Sequence, residues 1–152
     1  MEKEDDRKQW QFKSERLADR DYGKSGAYFV TICAYQRDPC LKIPELEKIL
    51  KQQWQELPQR FAGISLDRFE IMPDHLHFII WIDACVPSSP TLPQIVGAYK
   101  SLAAVAWLRH LKEIGSEVSG RIWQRGYHER IIRDEQELVK TRRYIENNPI
   151  VG

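Results

Sequence analysis

Four stretches of the chain alternate or concentrate apolar residues as strands do, and three others repeat them at helical spacing. AYFVTICAYQ, residues 27–36, is dense in β-branched and aromatic side chains and predicts a first strand. GISLDRFEIM, residues 63–72, predicts a second, whose alternation shifts midway as an inserted bulge residue would shift it. After the turn residues Pro73 and Asp74, HLHFIIWI (75–82) predicts a third. Successive strand side chains point to opposite faces, so Leu76, Phe78, Ile80 and Ile82 form a core face. His75 and His77 share the other face with Ile79 and Trp81. RIWQRGYHERIIR, residues 121–133, alternates well enough to predict a fourth strand.

IPELEKILKQQWQEL, residues 43–57, places Leu46, Ile49, Leu50 and Trp54 on one helical stripe, with Pro44 in the favoured first turn. Thr91 and Gln94 form a capping-box pattern that opens a helix carrying Leu92, Ile95, Val96, Tyr99, Leu102, Ala103 and Ala106, ending near Gly115. Asp134 and Glu137 cap a last helix, EQELVKTRRYIENN, which Pro149 is expected to stop. ACVPSSP, residues 84–90, reads as a loop whose cysteine, Cys85, serves best as a small buried hydrophobe. Residues 1–26 show no period and form an N-terminal arm, followed by one domain over 27–152. The order strand, helix, strand, strand, helix, strand, helix predicts an α+β, ferredoxin-like split βαβ antiparallel sheet with an added C-terminal helix. Many binding modules and enzymes share that architecture, so function has to come from particular residues.

Composition changes this picture little. At 42% hydrophobic and 30% charged, the chain has the make-up of an ordinary globular domain. No apolar run near the histidines spans a bilayer, and the charged start MEKEDDRKQW holds no signal-peptide core. With three cysteines and no CxxC pair, a reducing cytoplasm is the expected setting, with no membrane partner. Charge distribution says more than the net charge of +1. Five basic residues face eight acidic ones from Asp38 to Thr91, whereas ten face six from Lys100 to Arg143. The basic half permits a phosphate-binding face, although charge alone fits a solvated surface equally well.

The chemistry-bearing positions each have a bland reading. His75 and His77, one residue apart on a strand face, could share a metal ion, but hydrogen-bonded or half-exposed histidines are the commoner use. Cys85 would add a thiolate suited to structural zinc, yet no fourth ligand accompanies it. Tyr144 and Asn148 are four apart and project from one helical face. A tyrosine hydroxyl can serve as a covalent nucleophile, and an asparagine amide oxygen can complete a two-imidazole site. Against this, Tyr144 could pack in the core, and Asn148, lying before a proline, could cap the helix or leave it.

MPDHLH (72–77) resembles the Met-Pro-Asp/Asn-His-hydrophobic-His motif of the HUH single-tyrosine transposases. YIENNP (144–149) is similar to the tyrosine-helix motif of the same family, in its REP-associated branch. Between them AYKSLAAVAW is similar to the family's basic helix, IWQRGYHERIIRDEQEL to the segment before its tyrosine, and GAYFVTICAYQR to its first strand. The likeness runs from about Tyr22 to Asn148.

This resemblance implies a divalent metal ion, Mg²⁺ or Mn²⁺, and chemistry on single-stranded or hairpin DNA. It makes His75 and His77 metal ligands, Asn148 the third ligand and Tyr144 the nucleophile of a strand cleavage and rejoining through a 5′-phosphotyrosine. Lys100, Arg121, Arg125 and Arg143 then become the expected backbone contacts, with Arg142 as a further candidate and Trp123 or Tyr127 as stacking surfaces. His128 is a candidate helper for the tyrosine proton, a surface histidine being the simpler role. A homodimer is one assembly the family offers. The competing function is a ferredoxin-like nucleic-acid-binding module without catalysis, and a zinc-stabilised protein dependent on Cys85 ranks third.

Overall fold

The computed structural model describes residues 25–151, with side chains through Asn147. The expected N-terminal arm falls outside the described residues except for its last two positions. Strand β1 (Gly26–Cys33) leads through a short 3₁₀ turn (Tyr35–Arg37) to helix α1 (Pro44–Arg60). The hairpin β2 (Ile64–Ile71) and β3 (His75–Ile82) follows, then α2 (Leu92–Glu113), β4 (His128–Ile132) and α3 (Glu135–Val151). The sheet order is β2-β3-β1-β4, antiparallel at every junction. Each strand–helix–strand unit therefore straddles one strand of the other unit, which is the split βαβ arrangement expected from the element order.

The two faces are covered differently. α1 and α2 lie on one face, where Leu46, Leu50, Trp54, Leu57, Ile95, Tyr99 and Trp107 join Val30, Ile32, Leu76, Phe78 and Ile80 in the main core. Trp54 stacks on Phe69 at 4.9 Å, and the buried Tyr99 hydroxyl donates to the Leu50 carbonyl at 2.9 Å. α3 alone covers the other face, with Leu138 and Ile145 buried against Ala27, Ile79, Trp81 and Ile132. Fully burying an aliphatic or aromatic side chain contributes roughly 1.5–3 kcal/mol, so both layers are held chiefly by apolar burial. Among the described residues, no helix is long and apolar enough to cross a membrane.

Local signals place most boundaries. Thr91 and Gln94 complete both arms of the expected capping box at the start of α2. Asp134 accepts the Glu137 amide at 2.8 Å, while Glu137 takes the Arg133 amide, one residue outside the box. The expected shift in β2 is a bulge: Leu66 pairs with Ile80 and Phe69 with Phe78, so Asp67 and Arg68 together oppose Ile79.

Several expectations are corrected. The fourth strand is only His128–Ile132; its expected first half is a loop in which Trp123 makes a single bridge to Ala34. Ile122 and Trp123 are apolar because both plug the main core from this loop, not because they alternate along a strand. β1 ends at Cys33, and Gln36 and Arg37 in the turn beyond it take left-handed φ of 54°. α1 runs through Pro58 to Arg60, and α3 through Pro149 to Val151, keeping Asn148 within the helix. Proline's fixed φ is helical, and close to a helix end it forfeits one hydrogen bond without breaking a long ladder. Cys85 is exposed rather than buried, because its loop runs over the surface after β3, and all three cysteines are free thiols.

Candidate functional site

The histidines occupy the face beneath α3, as the alternation of β3 requires. His77 is opposite Glu70 on one side and Thr31 on the other, and Thr31 is in turn opposite His128. Four polar side chains thus form one row across the sheet, with His75 and Cys33 paired in the next position. The His75 and His77 rings are 4.7 Å apart between centroids.

Each imidazole is oriented through Nδ1. His75 Nδ1 is 2.7 Å from Asp74 Oδ1, and a carboxylate can only accept, so the proton sits on Nδ1. The His75 hydrogen bond holds the Asp74 carboxyl below its usual range, assisted by Arg37, whose guanidinium meets Asp74 Oδ2 at 3.0 Å. His77 Nδ1 is 2.9 Å from Thr31 Oγ1. His77 is buried, and its Nε2 has no hydrogen-bond partner among the described residues. Burial, with a smaller contribution from the His75 charge, lowers the His77 pKa to about 4, so the ring is neutral at pH 7. Leaving an acceptor lone pair unmet costs less than stranding a buried N–H, which favours the proton on Nδ1 and a lone pair on Nε2. Both rings therefore offer Nε2, the arrangement in which a second hydrogen bond fixes a metal-binding imidazole.

Tyr144 sits beside His77, an inner member of this row. Its ring centroid is 5.5 Å from that of His77 and 6.0 Å, edge-on, from Phe29. It is 53% exposed, which removes the core-packing reading. Asn148 lies one turn further along α3. Among the described residues, no group of three His, Cys, Asp or Glu side chains could enclose a metal ion. Two imidazole nitrogens fit a first-row divalent cation that takes its remaining ligands from oxygen, whether amide, substrate or water. With Cys85 exposed and outside any such group, a structural zinc site on it has no geometric support.

The expected DNA contacts divide into two sets. Arg125 and Arg143 are exposed. Arg125 lines a pocket of about 180 Å³ with Cys33, Gln124, Gly126, Tyr127 and the exposed His128, at the edge of the histidine row. Arg121 is exposed and rests on the Tyr35 ring, 4.2 Å from its centroid. Lys100 instead donates to the Gln124 and Gly126 carbonyls at 3.0 and 3.1 Å, clamping the loop before β4. Trp123 is core, its Nε1 donating to the Lys100 carbonyl, and so offers no stacking surface. Arg142 is engaged by Asp67.

This fold has known counterparts. The family model described as "Transposase IS200 like" matches residues 24–148. The chain belongs to the IS200-like transposase family. An uncharacterised Haemophilus influenzae protein is 33% identical over 166 residues, covering 91% of this chain and 88% of its own. A second protein of that organism, named a REP-associated tyrosine transposase, is 26% identical over 86% of this chain and 74% of its own. Among solved structures, a REP-associated tyrosine transposase bound to a REP hairpin superposes with a TM-score of 0.62 at 18% identity, over 84% of this chain and 68% of that one. A Deinococcus radiodurans protein described as a transposase gives 0.55 at 24% identity, over 83% and 92%. At such identities the two structures establish the shared α+β fold. Family membership and the named relative make this a protein of the REP-associated tyrosine transposase kind.

Sequence reasoning missed Thr31, Arg37 and the Asp67–Arg142 pair. The first two act across the sheet or a turn, and no local pattern marks them. Asp67 left one trace, a charged residue at the point where the β2 alternation slips.

Proposed function

We propose that the protein cleaves and rejoins single-stranded DNA through a 5′-phosphotyrosine on Tyr144, at sites beside small hairpins. The observation that carries this reading is the buried, unpartnered Nε2 of His77 in a ring 5.5 Å from that of an exposed tyrosine. His75 and His77 would hold a divalent ion, Mg²⁺ or Mn²⁺, with Asn148 supplying an oxygen ligand. When bound, such an ion supplies charge stabilisation at the scissile phosphate.

The residues of the chain do the rest. Tyr144 Oη forms a bond to phosphorus as the bond to the 3′ oxygen breaks. The phenolic proton is lost to solvent or a nearby base, and the leaving oxygen gains one to become a 3′-hydroxyl. Attack by a 3′-hydroxyl on the phosphotyrosine reverses the step, so one phosphodiester replaces another without an external energy source. Arg121, Arg125 and Arg143 supply backbone contacts that hold the strand in register. The hairpin preference is carried over from the relative bound to one. One chain places its histidines and tyrosine together, so this reading does not require a dimer. The DNA substrate is consistent with the cytoplasmic setting expected from the cysteines.

Covalent capture tests it. Hairpin DNA with randomised single-stranded flanks, labelled at the 3′ end, is incubated with Mn²⁺ or Mg²⁺ and resolved on a denaturing gel. A labelled protein band is expected from wild type, and none from Tyr144→Phe or from the His75→Ala, His77→Ala double variant. Hairpin binding by wild type without a band under either ion would instead support a non-catalytic binding module.

A further inference from the structure

We infer that Asp67 and Arg68, the two bulge residues of β2, are positioning residues that set where α3 presents Tyr144. The inference rests on the reading of Tyr144 as nucleophile. It starts from the register: the extra residue opposite Ile79 turns Phe69 and Ile71 into the main core while both bulge residues reach α3. Arg142 donates to Asp67 through Nε at 3.0 Å and Nη2 at 2.7 Å, a two-pronged contact that fixes angle as well as distance. Trp81 Nε1 donates to the same carboxylate at 2.8 Å. One turn along α3, Glu146 accepts from Arg68 Nε at 2.6 Å. The two contacts bracket Tyr144.

The Asp67 carboxylate is 1% exposed. Burial alone would push its pKa up; the Arg142 and Trp81 hydrogen bonds and the Arg142 and Arg68 charges outweigh this and hold it below its usual range. A buried ion pair is weak evidence of stabilisation, since well-packed apolar residues often serve as well. What the pair adds is a defined position. The apolar stripe of Leu138 and Ile145 is non-directional and tolerates small slides and rotations of the helix. The forked contact to Asp67 does not, and one residue of helical rotation, about 100°, would carry Tyr144 off His77.

The test uses the full chain and four variants: Asp67→Asn, Arg142→Lys, Arg68→Ala and the apolar pair Asp67→Leu with Arg142→Met. The single-turnover rate of adduct formation at saturating hairpin DNA is expected to fall about 100-fold in the apolar pair, the scale of a misplacement near 1 Å. Arg142→Lys, which keeps charge but removes the fork, should be intermediate, and Arg68→Ala should be mildest. Hairpin Kd and Mn²⁺ affinity should stay close to wild type in the apolar pair, because the histidines and the exposed arginines are untouched, while Tm should fall modestly as Trp81 Nε1 loses its acceptor. An unchanged rate in folded variants would overturn the inference, as would weaker hairpin or Mn²⁺ binding that accounts for the slower rate. A second readout stands apart from activity: a nuclear Overhauser cross-peak between the Tyr144 and His77 rings should appear in wild type and vanish in the apolar pair. If the cross-peak persists in the apolar pair, the positioning role is refuted even should wild type form no adduct. If it vanishes there and wild type forms no adduct, only the nucleophile reading is refuted.

Discussion

The two faces of the sheet are made by the same strands and stabilised by different means. Toward α1 and α2, every inward residue of β3 is apolar and essentially fully buried, and the face closes by packing alone. Toward α3, the same strand contributes Ile79 and Trp81 to a small cluster at one end and two imidazoles at the other. There the helix is held by directional contacts as well: Asp67 to Arg142, Arg68 to Glu146, and Arg130 to Thr141 at 3.1 Å. A packed face tolerates repacking as long as volume is kept. On the proposed reading the α3 face has to hold Tyr144 against the two histidines, which needs fixed positions, and forked or charged hydrogen bonds supply them.

Substitutions on the two faces should therefore separate stability from chemistry. The largest effect is expected from Tyr144→Phe: adduct formation falls below detection on the gel, while stability by denaturant titration stays within about 0.5 kcal/mol because the ring is exposed. Phe78→Ala, on the packed face, should reverse that pattern. It should cost about 3–5 kcal/mol of folding stability, and the fraction that remains folded should still form adduct at the wild-type rate. Saturating Mn²⁺ is expected to raise the Tm of wild type by the equivalent of about 2.7 kcal/mol at a hundred times Kd, and His77→Ala should abolish that rise. Chelation of wild type should leave its circular dichroism unchanged, since both apolar clusters are complete without a metal. The smallest effect belongs to Thr31→Val. Removal of the Nδ1 hydrogen bond should weaken Mn²⁺ binding by about 10- to 100-fold in calorimetry. A Thr31→Val protein with wild-type affinity would mean that His77 is oriented by packing alone.

Much of this division was legible in the sequence. The alternation through HLHFIIWI assigned the core face and the histidine face correctly, and the slip in GISLDRFEIM located the bulge. MPDHLH and YIENNP identified the family, which the match over residues 24–148 bears out. What stayed hidden was of two kinds. Contacts such as Asp67 with Arg142 join residues 75 positions apart, and only folding brings them together. Side chains with two plausible uses were the other kind. Lys100 reads as a phosphate contact because it flanks the helix nearest the family motifs, but here two loop carbonyls capture it, and burial lowers its pKa. Ile122 and Trp123 read as strand because large apolar residues are typical of strands, yet here they plug the core from a loop.

The sheet order carries a consequence for how the molecule breathes. β3 is an inner strand, bonded to β2 on one side and β1 on the other, so its amides should exchange with solvent only when the whole domain opens. α3 covers its face alone, so its amides should exchange sooner, through an opening that leaves the sheet intact. The two halves of the candidate site should therefore differ in local stability, with the imidazoles released later than the tyrosine. In hydrogen-exchange terms the histidine half should be a fixture lasting as long as the fold itself, and the tyrosine half should be renewed by each local closure.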